Sequence, residues 1–185
     1  MSPQPRRADA AENRARIVAV ARAAVADGGD EELKLNAIAK RAGVGQGTLY
    51  RHFPTREALL AEVYRAEVDE LVALAPRLLE RDLPFVALAR WFDRVAEYAR
   101  VKRGVIAAVE VALWRDLTDR SLGPIGAALT QLLDAGKADG TIRPDVDARD
   151  VIVLIGYLSR LPEGEWDARA RHLLGIVLDG LRRRG

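Results

Sequence analysis

The stretch Leu35-Asn36-Ala37-Ile38-Ala39-Lys40-Arg41-Ala42-Gly43-Val44-Gly45-Gln46-Gly47-Thr48-Leu49-Tyr50-Arg51-His52-Phe53 decides the fold. Ile38, Ala39 and Val44 with Leu49 and Phe53 have the spacing of two short helices whose apolar faces meet. Ala39 is small enough to let the backbones come close, and Gly43 supplies the left-handed turn between the helices. This is helix-turn-helix geometry, in which the second helix stands in a DNA major groove with its first residues facing base edges. The packing leaves Gln46, Thr48, Tyr50, Arg51 and His52 unused, and their chemistry suits DNA. Gln pairs bidentately with adenine, the Thr methyl touches a thymine methyl, and Tyr, His and Arg reach phosphates or bases. Gly45 and Gly47 keep side-chain bulk away from the start of this helix, so that backbone amides can approach phosphates.

Outward from this stretch the periodicity stays helical. Ala, Leu, Arg and Glu dominate and Gly/Pro clusters punctuate at helix-length intervals, which makes the fold class all-α. A first helix over roughly 10–27 sets Ile17, Val20, Ala21, Ala24 and Val25 on one face and stops at Gly28-Gly29-Asp30. The short helices fall near 36–42 and from about Gly45 to Phe53. Pro54 interrupts, and Thr55 stands where it can cap a long helix from Arg56 to Leu79, with Pro76 bending or ending its last turn. Beyond Pro84 a second helical unit has segments near 84–101, 104–117, 121–137, 147–161 and 167–183. Its breaks fall at Lys102-Arg103-Gly104, Asp119 to Pro124, Gly140 to Pro144 and Pro162-Glu163-Gly164. The expected division is a DNA-binding domain over 1–55 and a helical domain over 56–185, joined directly by the helix from Arg56.

Composition narrows the chemistry. A chain of 185 residues can bury a core without a staple. The absence of cysteine excludes disulfides, thiolate metal sites and cysteine nucleophiles, and His52 and His172 are the only histidines. No metal, no cofactor and no enzymatic activity are expected. The Gly43–Thr48 run lacks the Gly-Lys-Ser/Thr of a phosphate loop and the third glycine of a dinucleotide fingerprint. The longest apolar run, near 151–155, is far short of the ~18 residues of a membrane span. Behind Arg6 and Arg7, the residues Asp9, Glu12 and Arg14 deny a signal peptide its apolar core. A cytoplasmic protein with a frayed basic N-terminal arm is expected. The net charge of +2 hides an asymmetry: residues 1–56 carry ten Lys/Arg against six acids, the remainder 19 against 21. The N-terminal third therefore suits a polyanion partner.

Ala39 through Leu60, with the Gly-Val-Gly-Gln-Gly-Thr-Leu-Tyr-Arg-His-Phe core followed by Pro-Thr-Arg-Glu-Ala-Leu-Leu, resembles the DNA-binding domain of the tetracycline-repressor (TetR) family. The resemblance covers roughly residues 12–65, while 80–185 is similar only in helical organisation and length. It implies that the third helix reads an operator and that a Tyr and a basic residue at the next helix start hold phosphates. It further implies that the C-terminal helices bind an effector and dimerise. Carried over, Gln46, Thr48 and His52 fall at base-facing or groove-facing positions and Tyr50 and Arg56 at phosphate-anchoring ones. Gly47, Arg51 and Asn36 complete the DNA-facing set. Two positions depart from the family pattern: Lys34 stands where Thr or Ser commonly caps the second helix, leaving the cap missing or passed to Asn36, and Gly45 stands where Ser or Glu often caps the third.

In the second unit, Trp91 and Tyr98 lie a heptad apart, and Glu110 interrupts the apolar face that ends at Trp114. Trp91, Tyr98, Glu110 and Trp114 are the candidates for an effector pocket, since such sites combine apolar walls with few convergent polar groups. Ordinary core or rim aromatics fit the same spacing. The last two helices carry apolar or small residues off the core face, among them Ile152, Tyr157, Ile176 and Gly180. A stripe this wide suits a second contact, a four-helix interface between two copies. The expected protein is a homodimeric regulator bound to double-stranded operator DNA of near-palindromic sequence, a repressor released by a small-molecule effector. The alternatives are a helical interaction module whose helix-turn-helix is only structural, or a DNA-binding activator with no effector.

Overall fold

The computed structural model describes residues 4–27, 33–108, 111–162 and 165–183, and among them the fold is all-α. The helices are α1 (Gln4–Asp27), α2 (Leu35–Arg41), α3 (Gln46–His52), α4 (Arg56–Leu79), α5 (Pro84–Ala108), α6 (Val111–Ala138), α7 (Ala148–Gly156) and α8 (Trp166–Leu181). A 3-10 turn over Tyr157–Arg160 follows α7. Among the described residues the one β-type pairing is an isolated antiparallel bridge between Ile142 and Arg182. No described helix is long and apolar enough to cross a membrane.

Local chemistry sets most of these bounds. Thr55 caps α4, its Oγ1 accepting the Ala58 N–H at 3.1 Å. Asp147 and Asp150 form a reciprocal capping box at α7, each carboxylate accepting the other's N–H at 2.9–3.0 Å. Pro76 does not end α4, which continues to Leu79. Pro76 forfeits one helical hydrogen bond and crowds the Val72 carbonyl, and the buried Ala75 and Leu78 on either side hold the last turn in place. α1 starts at Gln4, so helix replaces the expected frayed arm from that residue on. The expected stop at Gly28-Gly29-Asp30 and the Glu163-Gly164 part of the last break lie outside the described residues.

Two expected breaks are absent. α5 runs through Lys102-Arg103-Gly104, and α6 runs through Asp119 to Pro124. At Gly104 the reason is packing: a Cβ there would stand 2.5 Å from the carbonyl oxygen of Val25 on α1. Glycine permits that approach and costs helix propensity, which packing overrides. Around Pro124 the buried Ser121, Ile125, Ala128 and Leu129 hold α6 in one piece against its neighbours.

α4 is the central element, packed against α1 on one side and α5 and α6 on the other. At its junction with α5, Trp91 is fully buried with its indole N–H donating to the Leu71 carbonyl at 2.9 Å. The buried hydroxyls of Tyr98 and Ser121 each lie 2.8 Å from that of Tyr64, so the polar tips of three core residues satisfy one another. The C-terminal end is clasped to the α6–α7 loop, Arg143 N–H donating to the Leu181 carbonyl and Arg183 N–H to that of Thr141, both at 3.0 Å.

Candidate functional site

α2 and α3 meet through Ile38, Ala39, Leu49 and Phe53, all buried. Gly43 makes the turn at φ +65°, the left-handed conformation that favours glycine. The N–H groups of Ala42, Gly43 and Val44 close it by donating to the carbonyls of Ile38, Lys40 and Ala39. Lys34 and Gly45 occupy the N-cap positions of α2 and α3 in extended conformation, neither with a side-chain cap. Asn36 is not a cap and points to solvent.

With Leu49 and Phe53 beneath it, α3 leaves Gln46, Gly47, Tyr50 and Arg51 exposed and Thr48 and His52 half-buried. Arg56, at the start of α4, is half-buried as well. Arg51 folds back along its own helix, Nε donating to the Gly47 carbonyl at 3.0 Å and Nη2 to Thr48 Oγ1 at 3.3 Å. The His52 ring leans on Phe53 with centroids 6.3 Å apart. Arg14 of α1 was not among the expected site residues. Its guanidinium lies 5.1 Å above the Phe53 ring and pairs with Glu62 of α4, clamping the end of α3 between α1 and α4. The hydrogen bond from Arg14 holds the Glu62 carboxyl below its ordinary value although burial works the other way. A charged residue on a mostly polar helix face gave no signal of this contact.

In the helical region a cleft of about 260 Å³ opens between α4 and α6, lined by Ala61, Tyr64, Arg65, Val68, Asp69, Asp116, Leu117, Arg120, Ser121 and Pro124. A smaller one of about 50 Å³ lies between α5, α6 and α7, and Tyr98 and Lys102 contribute its polar groups. Burial raises the Tyr98 hydroxyl well above its usual value and lowers the Lys102 ammonium. Of the expected pocket residues, Tyr98 lines the smaller cleft, and Trp91 lines neither, standing in the α4–α5 core. Glu110 and the Trp114 side chain lie outside the described residues.

On the outer side of α7 and α8, an apolar groove of about 410 Å³ is lined by Val153, Leu154, Ile155, Tyr157, Leu158, Leu173, Leu174, Ile176 and Val177. Tyr157 is 71% exposed, Val153 65%, Leu154 60% and Ile176 55%. Tyr157 and Ile176 thus come together there. Ile152 lies in the smaller cleft instead, near Gly126, and Gly180 is exposed at the end of α8, its carbonyl accepting from Arg143 at 3.5 Å. Among the described residues no group of acidic or histidine side chains has the arrangement of a metal site.

This geometry defines a helix-turn-helix carried on a helical core. The family model described as bacterial regulatory proteins, tetR family, matches residues 17–63, and that described as transcriptional regulator SbtR-like, C-terminal domain, matches 83–183. The solved structure of the TetR transcriptional regulator SCO0520 from Streptomyces coelicolor is 39% identical, with a TM-score of 0.79, over 93% of this chain and 99% of that one. A TetR transcription regulatory protein from Mycobacterium vanbaalenii is 33% identical, with a TM-score of 0.77, over 97% and 100%. An HTH-type transcriptional regulator of Staphylococcus aureus (strain USA300) is 43% identical over 63 residues, a match that spans 34% of this chain and 34% of that protein. The chain belongs to the TetR family of transcriptional regulators.

Proposed function

We propose that this chain is a homodimeric repressor that binds a near-palindromic operator through α3 and leaves it when a small molecule enters the helical region. The observation that carries the reading is the two-sided character of α3, anchored below by Leu49 and Phe53 and exposed above at Gln46, Gly47, Tyr50 and Arg51. In this reading Gln46 pairs with a base edge, Thr48 and His52 face the groove, and Gly47 leaves room for close approach. Tyr50, Arg56 and Asn36 hold phosphates, and Arg51 unfolds from Thr48 to join them. Residues 1–55 form the reading domain and 56–185 the domain that dimerises and takes the effector. Such a protein works in the cytoplasm, beside its operator.

The second copy is supported by the apolar groove on α7 and α8, whose exposed Tyr157, Leu154 and Ile176 suit a symmetric four-helix interface. A dimer reads two half-sites about a helical turn or a multiple apart. For the effector, the cleft between α4 and α6 has apolar walls with polar groups at floor and rim, and it shares α4 with the reading domain. An effector acts only through its preference for the DNA-incompetent arrangement, ~5.5 kcal/mol for a near-complete switch.

Selection of bound sequences from a random duplex pool near physiological salt, where non-specific phosphate binding is weak, tests the reading. An inverted repeat is the expected product. A single unrepeated site denies the dimer, and no enrichment at all denies sequence-specific DNA binding.

A further inference from the structure

Contacts that none of these roles uses seat the reading domain on the core. Arg22 of α1 pairs through Nε with Glu67 and through Nη1 with Glu70 at 3.1 Å, both on α4. Arg94 of α5 reaches the same two carboxylates from the other side, at 2.8 and 2.9 Å, and faces Glu97 at 3.6 Å. Glu67 is 1% and Arg94 8% exposed, so the cluster is buried at its centre and opens to solvent at its α1 edge. Further along α5, Arg100 Nε donates to the Ala26 carbonyl at 3.2 Å. Gly104 then admits the end of α1 so closely that a Cβ would stand 2.5 Å from the Val25 oxygen and 2.6 Å from its Cγ1. The opposite side of the same helix, with Val95, Tyr98, Ala99 and Lys102, faces the small cleft against α6 and α7.

Neither feature is an economical way to hold helices together. Desolvation offsets most of the attraction in a buried ion cluster, and a well-packed apolar replacement is often as stable. A glycine inside a helix lowers its stability. What both supply is a fixed geometry: Arg22 spreads Nε and Nη1 over the two carboxylates that Arg94 meets from the other side through Nη2, and a helix end seated on bare backbone has little room to slide. α1 in turn clamps α3 through Arg14, Phe53 and Glu62.

We infer that the Arg22–Glu67–Arg94–Glu70 cluster and the Gly104 seat are positioning devices that set the angle of α1, and with it α3, on the core. α5 is then a second route, beside α4, by which the core reaches the reading helix. The consequence for DNA rests on the operator-binding reading; the angle itself does not.

The chain has no cysteine, so Lys40→Cys on α2 and Asp134→Cys on α6, both exposed, give a unique pair of spin-label sites. In full-length protein diluted with unlabelled chain, electron–electron resonance distances between the labels report that angle without DNA. Arg22→Gln removes the α1 half of the cluster and leaves the buried Arg94–Glu67 pair in place. Gly104→Ala keeps every charge and displaces Val25. Both variants are expected to shift or broaden the distance distribution well below their melting transitions. On operators whose spacer is changed by one base pair, the parent's preference for the best spacing falls from about tenfold to about twofold in both variants. Arg22→Lys, which keeps the charge without the fork, restores part of it. Unchanged distributions in both variants, with only the melting temperature lowered, overturn the inference. A parent that binds no operator overturns the preceding reading, and the distance distributions then decide the inference alone.

Discussion

The reading domain and the helical region beyond it are made of the same residue types but answer to different constraints. In the first, α2 and α3 have seven residues each, so a single buried side chain such as Ile38 or Leu49 fixes the register of its helix. In the operator-binding reading proposed above, its free face must match base edges, a code that tolerates few side chains. In the second, a broad core around Trp91, Phe92, Leu129 and Leu132 can be filled by many apolar combinations of the right volume. A cleft between helices likewise leaves little signature in sequence. The comparison teaches that recognition of DNA demands particular residues, whereas a helical core demands chiefly a pattern.

The sharpest way to break this comparison is to empty each core in turn. Trp91→Ala is expected to cost about 3–5 kcal/mol and to lower the stability of the whole molecule in calorimetry, because α4 and α5 pack on each other and between them against α1, α6 and α8. Leu49→Ala costs about 2–5 kcal/mol and is expected to melt the reading domain in a separate, earlier transition. One cooperative transition in Leu49→Ala would instead make the two regions a single unit.

Next in size come the proposed DNA contacts. Gln46→Ala is expected to relax preference at one base position, worth about 1–3 kcal/mol of discrimination, while Tyr50→Phe weakens binding to all sequences alike. Titrations against an operator and its single-base variants separate the two. Equal losses on operator and random duplex for both variants would dissolve the division of roles. Gly43→Ala isolates the backbone: an added Cβ meets nothing within 4 Å, so the cost of about 1–2 kcal/mol comes from φ +65° alone and appears as a lower urea midpoint.

The smallest effect lies at the clamp between the regions. The Arg14 hydrogen bond lowers the Glu62 carboxyl from its ordinary value near 4.5, against the desolvation that raises it. A group whose folded pKa is lowered stabilises the fold at neutral pH, and that contribution is lost as pH falls below about 4.5 through the lowered value. Since Arg14 is half exposed, it amounts to about 1 kcal/mol or less. Parent and Glu62→Gln should differ in stability at neutral pH and converge in acid, and a constant difference across the range would place the effect outside this ion pair.

Much of the reading domain was legible because its signals are local. The Gly43 turn, the Thr55 cap and the apolar spacing from Ile38 to Phe53 each act within a few residues, and α2, α3 and α4 fall where they place them. Beyond Pro84 the same reasoning failed at Gly104 and Pro124, read as breaks though both lie inside helices. Glycine and proline weaken a helix by amounts that packing readily exceeds. Arg14, Arg22 and Arg94 were invisible as a group, since nothing in a single helix face tells which carboxylate a guanidinium will meet.

By itself, then, the sequence determined the all-α class, the paired short helices and the exposure of Gln46, Tyr50 and Arg51 on α3, because helical periodicity, left-handed glycine and capping are properties of neighbouring residues. Only the tertiary structure decided that Tyr98 lines a cleft while Trp91 fills the core, that Ile152 turns inward while Tyr157 stays outside, and that Arg22 and Arg94 share the carboxylates of Glu67 and Glu70. Those outcomes depend on distances between residues far apart along the chain, which exist only once α1, α4, α5 and α6 have packed.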